Sequence, residues 1–439
     1  MDIVKLAEQA GVVGAGGAGF PTHVKLNCKA ELVIANGAEC EPLLRVDQTL
    51  MQTQPHRVVE GLLAAMETVG AGHGVIATKA HYHGAVDALK EAVASHPQIG
   101  LHLMKSFYPA GDEKTLIQDI TGRTLPSGRL PADLGCVVLN VGTLINLSHG
   151  MEGRPVTDKT LTVGGAVEHP VTLDVPVGTP IQTVLRQVGF TGDSNSHALI
   201  MGGPCMGALE ENWEAPVTKT TGGILVLPAS HLLVARRRAM LQSQLKLAKA
   251  VCCQCSLCTQ LCPRNALGLG VSPHKIMRAM ACEDASLLGD VNSLLACCSC
   301  NLCTDYACNF GLTPGAMMTE YKNRLLKGGV KPVPEENILP DEGMALKRVP
   351  TRRLMARMGL SEYDRPAPLL EKSLEVGRVR IPLRMHIGKP SWPVVAPGDL
   401  VVRGQLIAAI PQGELGAAVH ASIEGTVSKM TRSYIEIKA

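Results

Sequence analysis

Apolar residues recur along this chain with two different periods, and the changes of period mark its domains. Residues 1–13 place Ile3, Leu6 and Ala10 on one face of a short helix. Leu32–Ala35 reads as a buried strand that runs into Asn36-Gly37. From Gln54 to about Val69 the spacing is helical, Gly74–Thr78 is a second strand, and Tyr82–Ser95 a second helix. Leu101–Lys105 and Cys136–Asn140 are further strands. Strands alternating with helices predict an α/β domain over residues 1–155.

The texture then changes. Short β-type runs at Leu161–Val163, Val171–Val175, Ala198–Met201 and Ile224–Leu227 surround one helix near Ile181–Val188, which predicts a small mixed β domain over 156–230. Residues 232–250 read as one basic helix, with Arg236-Arg237-Arg238 on a solvated face. That helix opens a cysteine-bearing helical domain over 231–330, in which Thr313-Pro314 caps a helix closed by Gly328-Gly329. Residues 331–375 are rich in proline and charge and predict a partly irregular connection. Residues 376–439 alternate short apolar runs with Gly and Pro, as a small β-barrel does.

Composition narrows the classes. With 439 residues the chain exceeds one hydrophobic core, and 46% apolar with 18% charged residues is ordinary for a folded protein. A net charge of +3, without a basic stripe interleaved with aromatics, argues against nucleic acid as the main partner. The first ten residues carry Asp2, Lys5 and Glu8, so an export signal is not expected. No apolar run reaches the roughly 18 residues that span a bilayer. The expectation is a soluble, cytoplasmic protein.

The cysteines carry the sharpest signal. Eleven of the fifteen lie between Cys252 and Cys308, a distribution that points to metal ligation in a reducing compartment. Cys252, Cys255, Cys258 and Cys262 follow C-x2-C-x2-C-x3-C-P, and Cys297, Cys300, Cys303 and Cys308 follow C-x2-C-x2-C-x4-C. Spacings of two let one tight loop turn three thiolates toward one cubane, while the fourth cysteine serves the other cluster. Cys252, Cys255, Cys258 and Cys308 are therefore assigned to one [4Fe–4S] cluster, and Cys297, Cys300, Cys303 and Cys262 to the other. The extra residue before Cys308, and Asn309 where proline is usual, depart from the pattern. A zinc ribbon would need two C-x2-C pairs rather than two triplets. Cys253 and Cys298 each neighbour a first ligand and either support it, are simply buried, or substitute for it. Cys28, Cys40, Cys136, Cys205 and Cys282 read as buried small hydrophobes.

Gly14, Gly16 and Gly19 satisfy G-x-G-x-x-G, but a helix rather than a strand precedes them, so this is not a standard Rossmann turn. A glycine-rich loop without a ligand is the alternative. The neighbouring residues change the weighting. Gly16-Gly17-Ala18-Gly19-Phe20-Pro21-Thr22 with Lys25 resembles the flavin loop of the FMN- and NADH-binding subunit of respiratory complex I. Asn36–Pro42, Tyr108–Lys114 and Leu139–Thr143 resemble later segments of that family, in the same order. The resemblance implies that FMN and NADH are held by Gly14, Gly16, Gly17, Gly19, Phe20, Lys25, Asn36, Glu39, Glu41, Tyr108, Gly111, Asp112, Glu113, Asn140 and Thr143. Glycine amides and Lys25 would meet phosphate, Asn36 and Asn140 the flavin, Glu41 the NADH ribose, and Phe20 a nicotinamide or adenine ring.

Ile381–Gly388 and Pro397–Gln405 resemble the barrel-sandwich domain that begins RnfC proteins, yet here they end the chain. That order is similar to the PduS-type cobalamin reductases of the RnfC-like family. Residues 160–225, with Met201–Gly207, resemble an SLBB β-grasp domain, a candidate corrinoid-docking surface. The terminal domain also resembles a lipoyl carrier, but no lysine occurs between Arg403 and Lys429, so a swinging arm has no attachment point. The resemblance implies a multidomain α/β plus α+β protein: flavin domain, SLBB domain, two-cluster ferredoxin-like helical domain and terminal β domain. It implies electron transfer from NADH through FMN and two [4Fe–4S] clusters to the cobalt of cobalamin, supporting propanediol utilisation. The expected partners are a corrinoid adenosyltransferase and microcompartment shell or lumen proteins. The alternatives are an RnfC-like conduit to another reductase or membrane complex, and a ferredoxin-like carrier without NADH activity.

Overall fold

The computed structural model of the chain describes residues 2–336, 338–371 and 374–439. Residue 1 of the expected first helix and residues 337, 372 and 373 of the expected connection lie outside the described residues.

The α/β domain is built on β1 (Leu32–Gly37), β2 (His73–Lys79), β3 (Ile99–Met104), the two-residue β4 (Phe107–Tyr108) and β5 (Cys136–Asn140). Four of these form a parallel sheet in the order β3-β2-β1-β5. Its strands are apolar on both faces because helices cover both. Val33, Ala35, Ile76, Val137 and Leu139 face the helices Pro55–Val69 and Val141–Met151. Ile34, Ala77 and Val138 face Leu116 and Ile117 of the helix Glu113–Thr121. Pro55 opens its helix at the first turn, and Gly70 closes it with φ of 75° in the left-handed region. The chain runs outward on one side of β1 and returns on the other at β5, so the sheet has a switch point where Asn36 and Asn140 end their strands.

The mixed β domain holds β6 (Asp158–Gly165), β7 (Val171–Pro176), β8 (His197–Met201), β9 (Ala208–Glu210) and β10 (Gly223–Pro228), ordered β7-β6-β10-β8-β9. Only β6 and β10 run parallel. Ile181, Val184 and Leu185 of one helix close its core against Leu161, Val163 and Leu173. Strand β9, three half-exposed or exposed residues, gave no periodic signal.

The helical domain departs from expectation in two places. The basic helix over 232–250 is two helices, Leu232–Arg238 and Leu241–Val251, separated where Ala239 turns to ψ of 124°. Arg236 and Arg237 do not face solvent. They flank the buried Asp305 at 3.9 and 3.4 Å, and Arg237 also donates to the carbonyls of Pro204 and Cys205 at 2.8 and 2.6 Å. Only Arg238 is exposed, against Glu211. Thr313 precedes the helix Pro314–Lys327, but its hydroxyl donates to Gln244 and makes no cap bond.

The expected connection contains folded structure. Strand β11 (Val349–Pro350) pairs antiparallel with β4, and a helix Thr351–Arg357 follows. Leu354, Met355, Met358 and Leu360 then bury against Tyr108, Leu233 and Leu302, joining the α/β domain to the cysteine-bearing one. The terminal domain comprises β12 (Arg378–Pro382), β13 (Trp392–Pro393), β14 (Leu400–Val401), β15 (Leu406–Ala409), β16 (Val419–His420), β17 (Gly425–Met430) and β18 (Tyr434–Lys438). They form two antiparallel sheets, β12-β18-β17-β14 and β13-β15-β16, around Val379, Ile407, Val427 and Ile435. Ser422, where a carrier lysine would stand, is buried and donates to the Val177 carbonyl at 2.6 Å.

One lysine joins three of these domains. Lys219 is buried, and its ammonium donates to the carbonyls of Gly11 at 2.7 Å and Ala418 at 2.8 Å. Burial pushes it down to about 7. Among the described residues no helix is long and apolar enough to cross a membrane.

This packing can be tested at a glycine and at the buried lysine. A Cβ at Gly61 would lie 2.1 Å from the Leu144 carbonyl oxygen, so Gly61→Ala must push two helices apart. It is expected to cost about 2 kcal/mol in urea unfolding, and an unchanged midpoint would refute this packing. For Lys219, the folded value lies below the ordinary 10.5, so the unfolded chain binds more protons between about 7 and 10.5. Stability therefore rises with pH across that window, by up to roughly 1.4 kcal/mol per pH unit from this group. Lys219→Met should flatten the slope measured between pH 7 and 9; a retained slope would assign it elsewhere.

Candidate functional site

At the switch point the strand ends meet the glycine loop. Asn140 caps the helix Val141–Met151, accepting from the Gly142 amide at 2.9 Å. Its amide donates to both Asp47 oxygens at 3.0 Å and to the Asn36 carbonyl at 3.3 Å. The Thr143 hydroxyl accepts from the Ala15 amide at 2.9 Å. The loop is closed by Gly14 donating to the Phe20 carbonyl at 2.9 Å and Gly19 to the Gly14 carbonyl at 3.1 Å. Its tip, Gly16-Gly17-Ala18, is exposed. A Cβ on Gly16 would crowd Asn140 at 3.3 Å, and Gly17 adopts φ of 110°. Gly14, Gly16, Gly17, Gly19, Phe20, Asn36, Asn140 and Thr143 are thus brought to one edge. A helix, Ile3–Gln9, precedes the loop.

Charged groups that the sequence did not single out lie beneath this edge. Glu39 accepts from the Asp47 amide at 2.6 Å, and Lys79 donates to the Glu39 carbonyl at 2.8 Å. Lys159, reaching from β6, donates to the Ala15 carbonyl at 2.7 Å. Burial, reinforced by Asp47, pushes the Glu39 carboxyl up to about 8, and burial pushes Lys159 down to about 8. Glu39 and Leu43 have φ of 34° and 68°, so the backbone of this segment is strained. Asp47 and Lys79 carry no motif; only their places after the Asn36–Pro42 segment and at the end of β2 could have drawn notice.

Several expected ligand residues are engaged in joining the domains. Glu41 is not open to a ribose. Its carboxylate accepts from the amides of Cys205 at 2.8 Å and Met206 at 3.0 Å and from Tyr108 at 3.3 Å. Burial pushes it up to about 7. Gly203 packs on it so closely that a Cβ would lie 2.1 Å from its oxygen. Asp112 caps the helix Glu113–Thr121 through Thr115 and pairs with Arg264 at 2.5 Å. Lys25 pairs with Glu113 at 2.9 Å. Gly111 donates to the Cys40 sulfur at 2.5 Å and accepts from Asn36 at 2.9 Å. Tyr108 is buried and donates to the Cys300 carbonyl at 2.8 Å, linking this edge to the cysteines.

The two cysteine loops share one backbone device. Gln254 and Ser256 in the first, Ser299 and Asn301 in the second, have φ between 55° and 59°. Alternating left-handed residues turn successive thiols to the same side. Cys258 lies within electrostatic reach of Cys252, Cys255 and Cys308. Cys303 lies near Cys297, Cys262 and Cys258, and Cys300 near Cys298, Cys262 and Cys303. The thiols therefore gather as two neighbouring sets of four, each with one member from the other loop. Cys253 is exposed, whereas Cys298 is half-buried and reaches Cys300. Of the cysteines read as buried, Cys136 and Cys205 are; Cys28 and Cys40 are half-buried, and Cys282 is exposed on the last turn of Pro273–Cys282.

Both settings fit the groups that the sequence implies. Exposed glycine amides beside the capped N-terminus of an 11-residue helix suit a phosphate. The hydroxyls of Thr22 and Thr78, buried at this edge, have no partner. A zinc site would draw four sulfurs to about 2.3 Å from one ion. Among the described residues no three ligand-type side chains close on a single ion, and a cubane is a larger body gripped from outside.

Comparison with known proteins agrees with this anatomy. Residues 7–149 match the Nuo51 FMN-binding domain, 251–313 the 4Fe-4S dicluster domain and 367–438 the RnfC barrel sandwich hybrid domain. Cobalamin reductase PduS of Citrobacter freundii is 43% identical over 433 residues, 98% of this chain and 94% of that one. Cobalamin reductase PduS of Salmonella typhimurium is 44% identical over 441 residues, 99% and 96% of the two chains. An RnfC-type component of the Na(+)-translocating ferredoxin:NAD(+) oxidoreductase complex of Acetobacterium woodii is 38% identical over 279 residues, 62% of this chain and 60% of that one. A flavin-type domain, a dicluster domain and an RnfC-type terminal domain in this order, matched over nearly the whole chain, place the protein in the PduS family of RnfC-like cobalamin reductases.

Proposed function

We propose that this chain is an NADH-dependent oxidoreductase that reduces the cobalt of a corrinoid by single electrons. A bound FMN would supply the change from a hydride's two electrons to single ones, and two [4Fe–4S] clusters the relay onward. The protein's own work is to hold and align. Gly14–Gly19, Lys25, Asn36, Asn140 and Thr143 hold the flavin, and Cys252, Cys255, Cys258 and Cys308 one cluster. Cys262, Cys297, Cys300 and Cys303 hold the other, which is the nearer to the flavin edge. The observation that carries this reading is the Tyr108 hydrogen bond to the Cys300 carbonyl at 2.8 Å, which fastens the flavin-type edge to a cluster loop.

The mixed β domain serves as an SLBB-type module that positions the others and offers a corrinoid-docking surface, with its Met201–Gly207 loop seated on Glu41. A corrinoid adenosyltransferase is the partner that would consume reduced cobalt, and residence in a propanediol-utilisation microcompartment follows from the relatives' type. The 38% identity to an RnfC-type protein supports a second reading, a conduit to a membrane complex without a corrinoid.

Anaerobically purified protein is expected to hold about eight irons, about eight sulfides and one flavin per chain, and to reduce cob(II)alamin with NADH. A full complement with flavin bleaching by NADH but no cobalamin reduction would favour the conduit; zinc in place of iron would end the redox reading. Within the cysteines, Cys300→Ser should lose about half the iron, whereas Cys253→Ser should keep all of it. Equal loss in the two variants would contradict the ligand assignment.

A further inference from the structure

Arg264 lies in the short helix Pro263–Ala266, directly after the crossing cysteine Cys262. It is only 8% exposed. Its guanidinium meets Asp112 at 2.5 Å, and both side chains are nearly inaccessible. Asp112 belongs to the flavin-type segment and is fixed there by capping Glu113–Thr121. On its other side Arg264 adjoins the Cys298 thiol, which in turn reaches Cys300. The Nε of Arg264 is buried without a partner.

The pair is therefore an oriented dipole across the seam between two sites, negative toward the flavin edge and positive toward Cys262, Cys297, Cys300 and Cys303. A reduced cluster carries one more negative charge than an oxidised one. In a dry seam a fixed cation at that distance stabilises the reduced form far more than it would in water. A buried ion pair contributes little net stability compared with apolar packing, so its orientation is the property that matters to the site.

We propose that Arg264, held by Asp112, is a positioning residue that raises the reduction potential of the cluster bound by Cys262, Cys297, Cys300 and Cys303. This rests on the electron-transfer reading of the chain. The couple concerned gains one electron and no atom, the electron coming from the reductant used as titrant.

The test is a mediated anaerobic potentiometric titration of the full chain, read by electron paramagnetic resonance. The two cluster signals are assigned by their separate loss in Cys255→Ser and Cys300→Ser. Arg264→Gln should lower the reduced-to-oxidised ratio of the Cys300 cluster about tenfold at fixed potential, about 59 mV for a one-electron couple. Asp112→Asn, which leaves the cation without its neutralising partner, should move the same signal by a similar amount in the opposite direction. Arg264→Lys should stay near the parent, and the Cys255 signal should hardly move in any variant. Shifts of the same sign in Arg264→Gln and Asp112→Asn, or none in either, would show that the pair only braces the seam. If Arg264→Gln fails to load the cluster, the upward shift in Asp112→Asn decides, and its absence overturns the proposal. Parent protein without iron and sulfide would instead overturn the electron-transfer reading itself.

Discussion

A buried phenol cannot be left without a partner, and the partners of Tyr108 come from elsewhere in the chain. Its hydroxyl donates to the Cys300 carbonyl and lies 3.3 Å from Glu41, whose carboxylate also receives two amides from the Met201–Gly207 loop. One side chain thereby fixes the parallel sheet, the mixed sheet and the second cysteine loop relative to one another. Removing one member of a buried pair such as Asp112–Arg264 or Asp305–Arg237 would strand a charge, at a cost of about 3–5 kcal/mol. Few alternative arrangements of the domains are compatible with these groups.

The sheet and the cysteine sets were legible because their signals are local. Val33–Ala35, Ile76-Ala77 and Val137–Leu139 are apolar on both faces, and a strand buried on both faces leaves that mark in the sequence itself. The cysteine spacing likewise encodes a loop within ten residues. What the sequence did not disclose depends on partners far along the chain. Nothing near Arg236 and Arg237 announces Asp305, nearly seventy residues on, so a basic run read as a solvated face. Nothing near Val349 announces a strand pairing with Phe107-Tyr108.

The same limit applied to the candidate site. Four ordered segments located the flavin edge, and Asn36, Asn140, Thr143 and the glycine loop do converge there. Residue type could not say which carboxylates stay available. Glu41 and Asp112 look like ligand groups by motif, yet their oxygens are satisfied by the mixed domain and by Arg264. Asp47, Lys79 and Lys159 have no motif and supply the charge beneath the edge.

The terminal β domain touches the start of the chain rather than the middle. The Ile387 amide donates to the Gly19 carbonyl at 2.9 Å, and Lys219 holds Gly11 and Ala418 together. Where a covering domain is defined by such contacts, the point at which the polypeptide enters it is of little mechanical importance. A circular permutation that moved these residues ahead of the first helix would keep the same lid over the same loop, which accounts physically for a family in which this domain stands at either end.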